Sequence, residues 1–163
     1  MAKNKIPVTS AVRALRKAKV EFTPHTYRYE PRGGTTVSSR ELGVDEHTVV
    51  KTLIMEADGQ PLVILMHGDL KVSTRKLARH IGARTLQPCP PDKAQRHSGY
   101  MVGGTSPFGL RKDLPIYAQS TIEHLPSFYI NGGKRGFLVQ ITPQDLTTAL
   151  DVEWVDVARG PGD

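Results

Sequence analysis

The stretch Thr48–His67, TVVKTLIMEADGQPLVILMH, decides the fold. Thr48 to Glu56 is dense in β-branched and aliphatic residues, and Pro61 to His67 is a second apolar run. Asp58-Gly59 lies between them, the dipeptide of a tight turn, so the stretch predicts a central β-hairpin.

Outward from that hairpin, helical and strand patterns alternate. Thr9 or Ser10 caps a first helix with Ala11, Leu15 and Ala18 on one face. Phe22 to Tyr29 reads as a strand, and Pro24 confines it to a sheet edge. Ser38-Ser39-Arg40-Glu41 fits a capping box of a short helix that Gly43 stops. On the other side Ser73 caps a helix carrying Leu77 and Ile81 and closed by Gly82, and residues 91–97 form another. Ser127 to Ile130 and Phe137 to Ile141 are strands around a Gly-rich turn. Pro143 opens a last helix with Leu146 and Leu150, before a strand holding Trp154 and Val155. The order is not a strict βα repeat, so the expected class is a mixed α/β (α+β) fold.

At 163 residues one domain is expected, without linker or repeat. The longest aliphatic run is Leu62–Met66, far short of a membrane span, and the N-terminus has no apolar signal region. A single cysteine, Cys89, fits a reducing, cytoplasmic setting. The net charge of +6 is unevenly spread. Residues 71–112 hold nine basic side chains against Asp92 alone, a local +8. Such a block attracts polyanions by counterion release, or is simply a solvated basic face.

Three features carry chemistry. Lys51 interrupts an apolar strand and shares a face with Val49 and Leu53. A lysine on a core-side face implies a pocket where an ammonium meets an anion or carbonyl; on a solvated face it implies nothing. Gly99 to Gly109 (GYMVGGTSPFG) has four glycines, which permit a nest of backbone N–H groups for an oxyanion or phosphate, or a plain turn. It has neither the Walker A nor the GxGxxG spacing. Asn131-Gly132-Gly133-Lys134-Arg135-Gly136 offers a tight Gly-Gly hairpin with two cations at its tip, suited to nucleic-acid phosphate or to solubility. The six histidines and Cys89 lack metal-site spacing, and Ser106 lacks the GxSxG elbow of hydrolases. Tyr27 and Tyr29 alternate on the edge strand, where they either face a pocket or pack.

Together, Val50-Lys51-Thr52-Leu53, the 99–109 loop and Gly132-Gly133-Lys134-Arg135-Gly136 resemble the signatures of the YbaK-type aminoacyl-tRNA deacylases. The helix from Thr9 to Val20, His25-Thr26-Tyr27 and Ala94-Gln95-Arg96 are similar too, so the resemblance spans about residues 8–159. It implies one editing domain over residues 1–163, a curved mixed sheet or partial barrel flanked by short helices, related to the editing domain of bacterial prolyl-tRNA synthetase. It implies no metal and no cofactor. Lys51 matches the family's essential lysine. Tyr27, Thr52, Gly103, Gly104, Thr105, Ser106, Pro107, Gly109, Asn131, Gly132 and Gly133 fall to the aminoacyl pocket, and Arg111, Lys112, Lys134 and Arg135 to tRNA phosphates. Asn131 and Leu138 depart from the family pattern of Ser and an acidic residue, which touches amino-acid preference.

The implied activity is removal of cysteine mischarged onto proline tRNA, with Cys-tRNA(Cys) as a further candidate substrate and prolyl-tRNA synthetase as a partner. The thiol of the bound cysteine attacks its own ester, so no protein nucleophile is needed. A deacylase of Ala or Ser, and a non-catalytic tRNA- or synthetase-binding module, are the alternatives.

Overall fold

The computed structural model describes residues 6–160; residues 1–5 and 161–163 of the expected domain lie outside them. The central hairpin forms as expected. Strand β2 (Val49–Ala57) pairs antiparallel with β3 (Gln60–His67) from Val50↔His67 to Ala57↔Gln60; β1 is Thr23–Thr26. Asp58 and Gly59 both have positive φ (49° and 80°), as the turn requires. The Asp58 carboxylate also accepts from Arg84 N and Thr85 N, which draws the chain toward β5 (Leu86–Pro88) beside β2; β4 is Lys71–Val72.

The remaining strands are β6 (Ile116–Gln119), β7 (Phe128–Lys134), β8 (Phe137–Ile141), β9 (Glu153–Val155) and β10 (Ala158–Arg159). The main sheet runs β1-β8-β7-β2-β3-β6-β9 with β5 alongside β2, and β10 pairs with β4. β2–β7, β3–β6 and β6–β9 are parallel and the other pairs antiparallel, so the sheet is mixed.

Helices cover both faces. Val50, Val63 and Leu65 pack into a core with α1 (Ser10–Lys17), α4 (Pro91–Ser98) and α5 (Pro143–Ala149); α2 is Gly34–Leu42. Met55, Ile64 and Met66 pack on the opposite side with Leu77 of α3 (Thr74–Ile81). Leu65 and Ile64 are wholly buried, each contributing roughly 1.5–3 kcal/mol of apolar transfer. Thr9 caps α1 by accepting from Val12 N at 3.0 Å, and Ser73 caps α3 by accepting from Lys76 N.

Some local expectations are corrected. The strand around Pro24 is only Thr23–Thr26, though it is an edge. Helix α2 starts at Gly34, so Ser38 and Ser39 are not caps; their hydroxyls donate back to the carbonyls of Thr35 and Thr36 inside the helix. Its end at Gly43, in the left-handed region, is as expected. Gly132-Gly133 is not the hairpin turn. Both belong to β7, where the register with β8 slips, and the chain reverses at Arg135-Gly136. β4, β5, β6 and β10 carry no clear periodicity, being two to four residues long.

One topological feature positions the site. β3 occupies one edge of β2 throughout, so β7 and β5 share the other. β7 pairs there only with Val49 and Val50, and β5 only from Met55 onward. Between them, at Lys51 to Leu53, the sheet splits open; the Ile54 carbonyl already accepts from Cys89 N at 3.0 Å.

Candidate active site

A cavity of about 680 Å³ lies in that split, walled by every residue of β2 from Val49 to Met55. A pocket of this size suits a small-molecule group or the end of a chain. Thr35, Val37 and Ser38 of α2 form a second wall, and Cys89, Pro91 and Ala94 a third. Tyr27, Tyr29, Val102, Gly103, Asn131, Arg135 and Leu138 close it from the β7–β8 side.

Lys51 is half-buried in this cavity. Its Nζ donates to the Gly68 carbonyl at a long 3.4 Å, which leaves most of its three-donor capacity free. Burial lowers its pKa below the ordinary lysine value, while the carboxylates of Glu46 and then Asp69 offset part of that shift. The Thr35 hydroxyl sits between Glu46 Oε2 (2.7 Å) and the Gly68 carbonyl (3.2 Å), tying α2 to the same corner. Gly68 admits no side chain: a Cβ there would lie 2.6 Å from Thr35 Oγ1 and 2.9 Å from the Glu46 carbonyl.

Beneath the corner, His67 is fully buried. Its Nδ1 lies 2.8 Å from the His47 carbonyl, which can only accept, so Nδ1 carries the proton and Nε2 accepts from Thr121 Oγ1 at 2.7 Å. Burial lowers the His67 pKa, in keeping with a neutral ring. Beside Lys51, Thr52 Oγ1 is the buried side-chain polar atom without a hydrogen-bond partner among the described residues. An orphaned buried hydroxyl costs about 1–3 kcal/mol.

The glycine loop is placed differently from its expected role. Gly103 and Thr105 line the cavity, but Gly104, Ser106, Pro107 and Gly109 do not. Gly104 abuts the backbone of Lys134 and Arg135, and Gly109 abuts Ser10 at the start of α1. These glycines let the loop pack against its neighbours rather than present a row of N–H groups. Tyr100 donates to the Phe108 carbonyl at 2.5 Å and is buried enough that its pKa is pushed up to about 12. Ser106 is likewise buried, accepting from Phe108 N.

Asn131 and Arg135 hold the loop's other end. Asn131 donates to the Gly103 carbonyl at 3.2 Å and accepts from Gly133 N and Lys134 N. Arg135 Nε donates to the Val102 carbonyl at 2.9 Å, and its guanidinium lies over the Tyr29 ring at 5.1 Å. Gly132 and Gly133 lie off the cavity, packed on Phe137 and on Tyr100 with Thr9. Lys134 is exposed at the turn; Arg111 and Lys112 are exposed outside the cavity wall, Lys112 beside His97.

Of the sequence-derived candidates, the fold thus gathers Tyr27, Lys51, Thr52, Gly103, Thr105, Asn131 and Arg135 at one cavity. Leu138, singled out as a departure, is buried in its wall. Cys89 also lines it, but burial and the Glu56 carboxylate push its thiol up to about 11, so it is not a thiolate nucleophile at neutral pH. Sequence reasoning missed Thr35, Ser38, Glu46 and the His67-Gly68 corner. The available signal was His67 ending an apolar strand, the same kind of anomaly as Lys51.

The sequence model of the aminoacyl-tRNA editing domain matches residues 31–149, which hold most of this cavity. Over 96% of the chain and 98% of its own length, an Enterococcus faecalis protein named "Putative Cys-tRNA(Pro)/Cys-tRNA(Cys) deacylase EbsC" is 24% identical. The proline–tRNA ligase of Moorella thermoacetica is 33% identical over 72% of this chain, which spans 21% of that enzyme. A solved structure described as a "putative trans-editing enzyme for prolyl tRNA synthetase" superposes with a TM-score of 0.84 over 96% of this chain and all of its own, at 21% identity, and shares the fold. No helix among the described residues is long and apolar enough to cross a membrane. The chain belongs to the aminoacyl-tRNA editing domain family.

Proposed function

We propose that this protein is a trans-editing deacylase that releases cysteine mischarged onto proline tRNA. The observation that carries the reading is the half-buried Lys51 ammonium in the split of the sheet, inside a cavity of about 680 Å³. The aminoacylated 3′ end enters the cavity between Arg32 and Arg135, both of which line it. Lys51 holds the terminal nucleotide and stabilises negative charge developing on the ester carbonyl. The Thr52 hydroxyl takes up a polar group of the aminoacyl moiety.

The described chain offers no thiolate in the cavity, and the reaction uses the substrate's own sulfur. That sulfur bonds to the ester carbonyl carbon, the bond from that carbon to the ribose oxygen breaks, and the thiol proton passes to the ribose oxygen. The products are a cyclic thiolactone and the free 3′ hydroxyl. Confinement converts a slow encounter into an intramolecular attack of high effective molarity. Selectivity then rests on chemistry, since one methylene in an apolar pocket is worth only about 1–3 kcal/mol. The basic 71–112 segment and Lys134 meet the tRNA backbone, and prolyl-tRNA synthetase supplies the charged tRNA.

Leu138 favours one second reading. It puts an apolar side chain on the cavity wall, next to Asn131 in register, which suits alanine as well as cysteine. Proline tRNA charged with Cys, Ala or Ser, incubated with the protein and resolved by mass, separates the two. Rapid release confined to Cys, lost in Lys51→Ala, is expected; faster release of Ala overturns the cysteine reading, and tRNA binding without any release leaves a binding module.

A further inference from the structure

At the end of β2 farthest from Lys51, three potential metal ligands meet from three elements: Glu56 of β2, Cys89 just past β5, and His97 in the last turn of α4. We propose that they form a binding site for a zinc-class divalent cation, sharing a wall with the cavity through Cys89. This does not rest on the deacylase reading.

The ligand atoms all lie within 4.8 Å of one another. Tetrahedral zinc bonds of about 2.0–2.3 Å put neighbouring ligand atoms roughly 3.3–3.7 Å apart. The site therefore closes with a contraction of about 1 Å, within reach of side-chain rotation. Glu56 and Cys89 are each 8% exposed, and His97 is half-buried at the open side of the cluster. One thiolate, one imidazole and one carboxylate are the donors of a borderline cation such as zinc, and three protein ligands leave a fourth position open.

The electron pairs a metal would take are at present directed at cations or protons. The Cys89 thiol donates to Glu56 Oε1 at 3.2 Å, and Lys93 Nζ lies 3.9 Å from the same oxygen. Lys112 Nζ lies 3.2 Å from His97 Nδ1, and since an ammonium only donates, that nitrogen holds its lone pair. Both lysines are exposed and free to swing away. Metal binding displaces the thiol proton and at least the Lys93 ammonium, so affinity rises with pH.

The test is titration of the full, chelator-treated chain with zinc by calorimetry and with cobalt by absorbance. One saturable equivalent is expected, with a thiolate-to-cobalt charge-transfer band. Cys89→Ser is expected to abolish the band, His97→Gln to weaken zinc binding at least tenfold, and Lys93→Met to tighten it. Thermal melts of the metal-free variants confirm that each is folded. Absence of a stoichiometric equivalent, or zinc binding unchanged in both folded Cys89→Ser and His97→Gln chains, overturns the proposal.

Discussion

Lys51 Nζ and the Gly68 carbonyl oxygen stand 3.4 Å apart, joining the open edge of β2 to the corner that follows β3. The contact is too long to consume the ammonium, yet it aims the side chain across the cavity. The carboxylates of Glu46 and Asp69 act on the same group.

Deacylation that needs charged Lys51 falls as pH rises through the Lys51 pKa, which burial puts below its ordinary 10.5. Glu46→Gln and Asp69→Asn each remove an attraction that raises this pKa. Both are expected to move the alkaline limb of kcat/KM to lower pH. Asp69→Asn makes the shift without touching the Thr35 bond to Glu46; an unmoved limb in both variants would mean that Lys51 does not titrate in the reaction.

Lys51→Met is expected to abolish deacylation while raising Tm at neutral pH. Folding withdraws the ammonium from water, so the charged form is disfavoured in the native state. The sign follows from linkage. Between the lowered native pKa and 10.5 the unfolded chain binds more protons, and the stability of the natural chain climbs with pH there. In Lys51→Met that climb is absent, which denaturant titrations at stepped pH would register.

Thr52→Val removes an orphaned buried hydroxyl with little change of shape. Stability is expected to hold or to rise by up to about 1 kcal/mol. If the hydroxyl meets the aminoacyl group, kcat/KM drops by roughly tenfold or more in the same variant. Equal activity in both chains would remove Thr52 from the site.

Gly68→Ala drives a methyl into Thr35 and the Glu46 backbone. Because backbone is one of the two obstacles, α2 or the β3 corner must shift, at about 1–3 kcal/mol. A Tm lower by about 2–12 °C, with a loss of activity exceeding the loss of folded protein, is expected.

Tyr100→Phe leaves the Phe108 carbonyl without its 2.5 Å donor under the glycine loop. The expected penalty is about 1–3 kcal/mol, read by denaturant midpoint. Replacing Lys134 by Ala, at the exposed turn, is expected instead to leave stability alone. It should flatten the slope of log K for tRNA against log salt by about 0.7–0.9 for each phosphate that Lys134 neutralises.

The hairpin, the helix caps at Thr9 and Ser73 and the stop at Gly43 are local matters. Period, turn dipeptide and cap chemistry are written in neighbouring residues, so they are readable in the chain. Lys51 is legible as an anomaly for the same reason, since a lysine amid Val, Thr, Leu and Ile breaks a local pattern. The short strands β5 and β6 are not, because too few residues repeat to make a period, and their pairing partners lie far along the chain.

What lies around Lys51 is decided by tertiary structure alone. Where β7 leaves β2 and where β5 joins it depends on registers set by whole-sheet packing, and the gap between them is the cavity. The glycines show the same division. Their sequence spacing marks a loop needing close approach, but only the folded chain reveals that Gly109 approaches α1 and Gly104 the β7–β8 turn while Gly103 reaches the cavity. Sequence neighbours determine backbone preference; contacts between residues distant in the chain determine which surface is hollow.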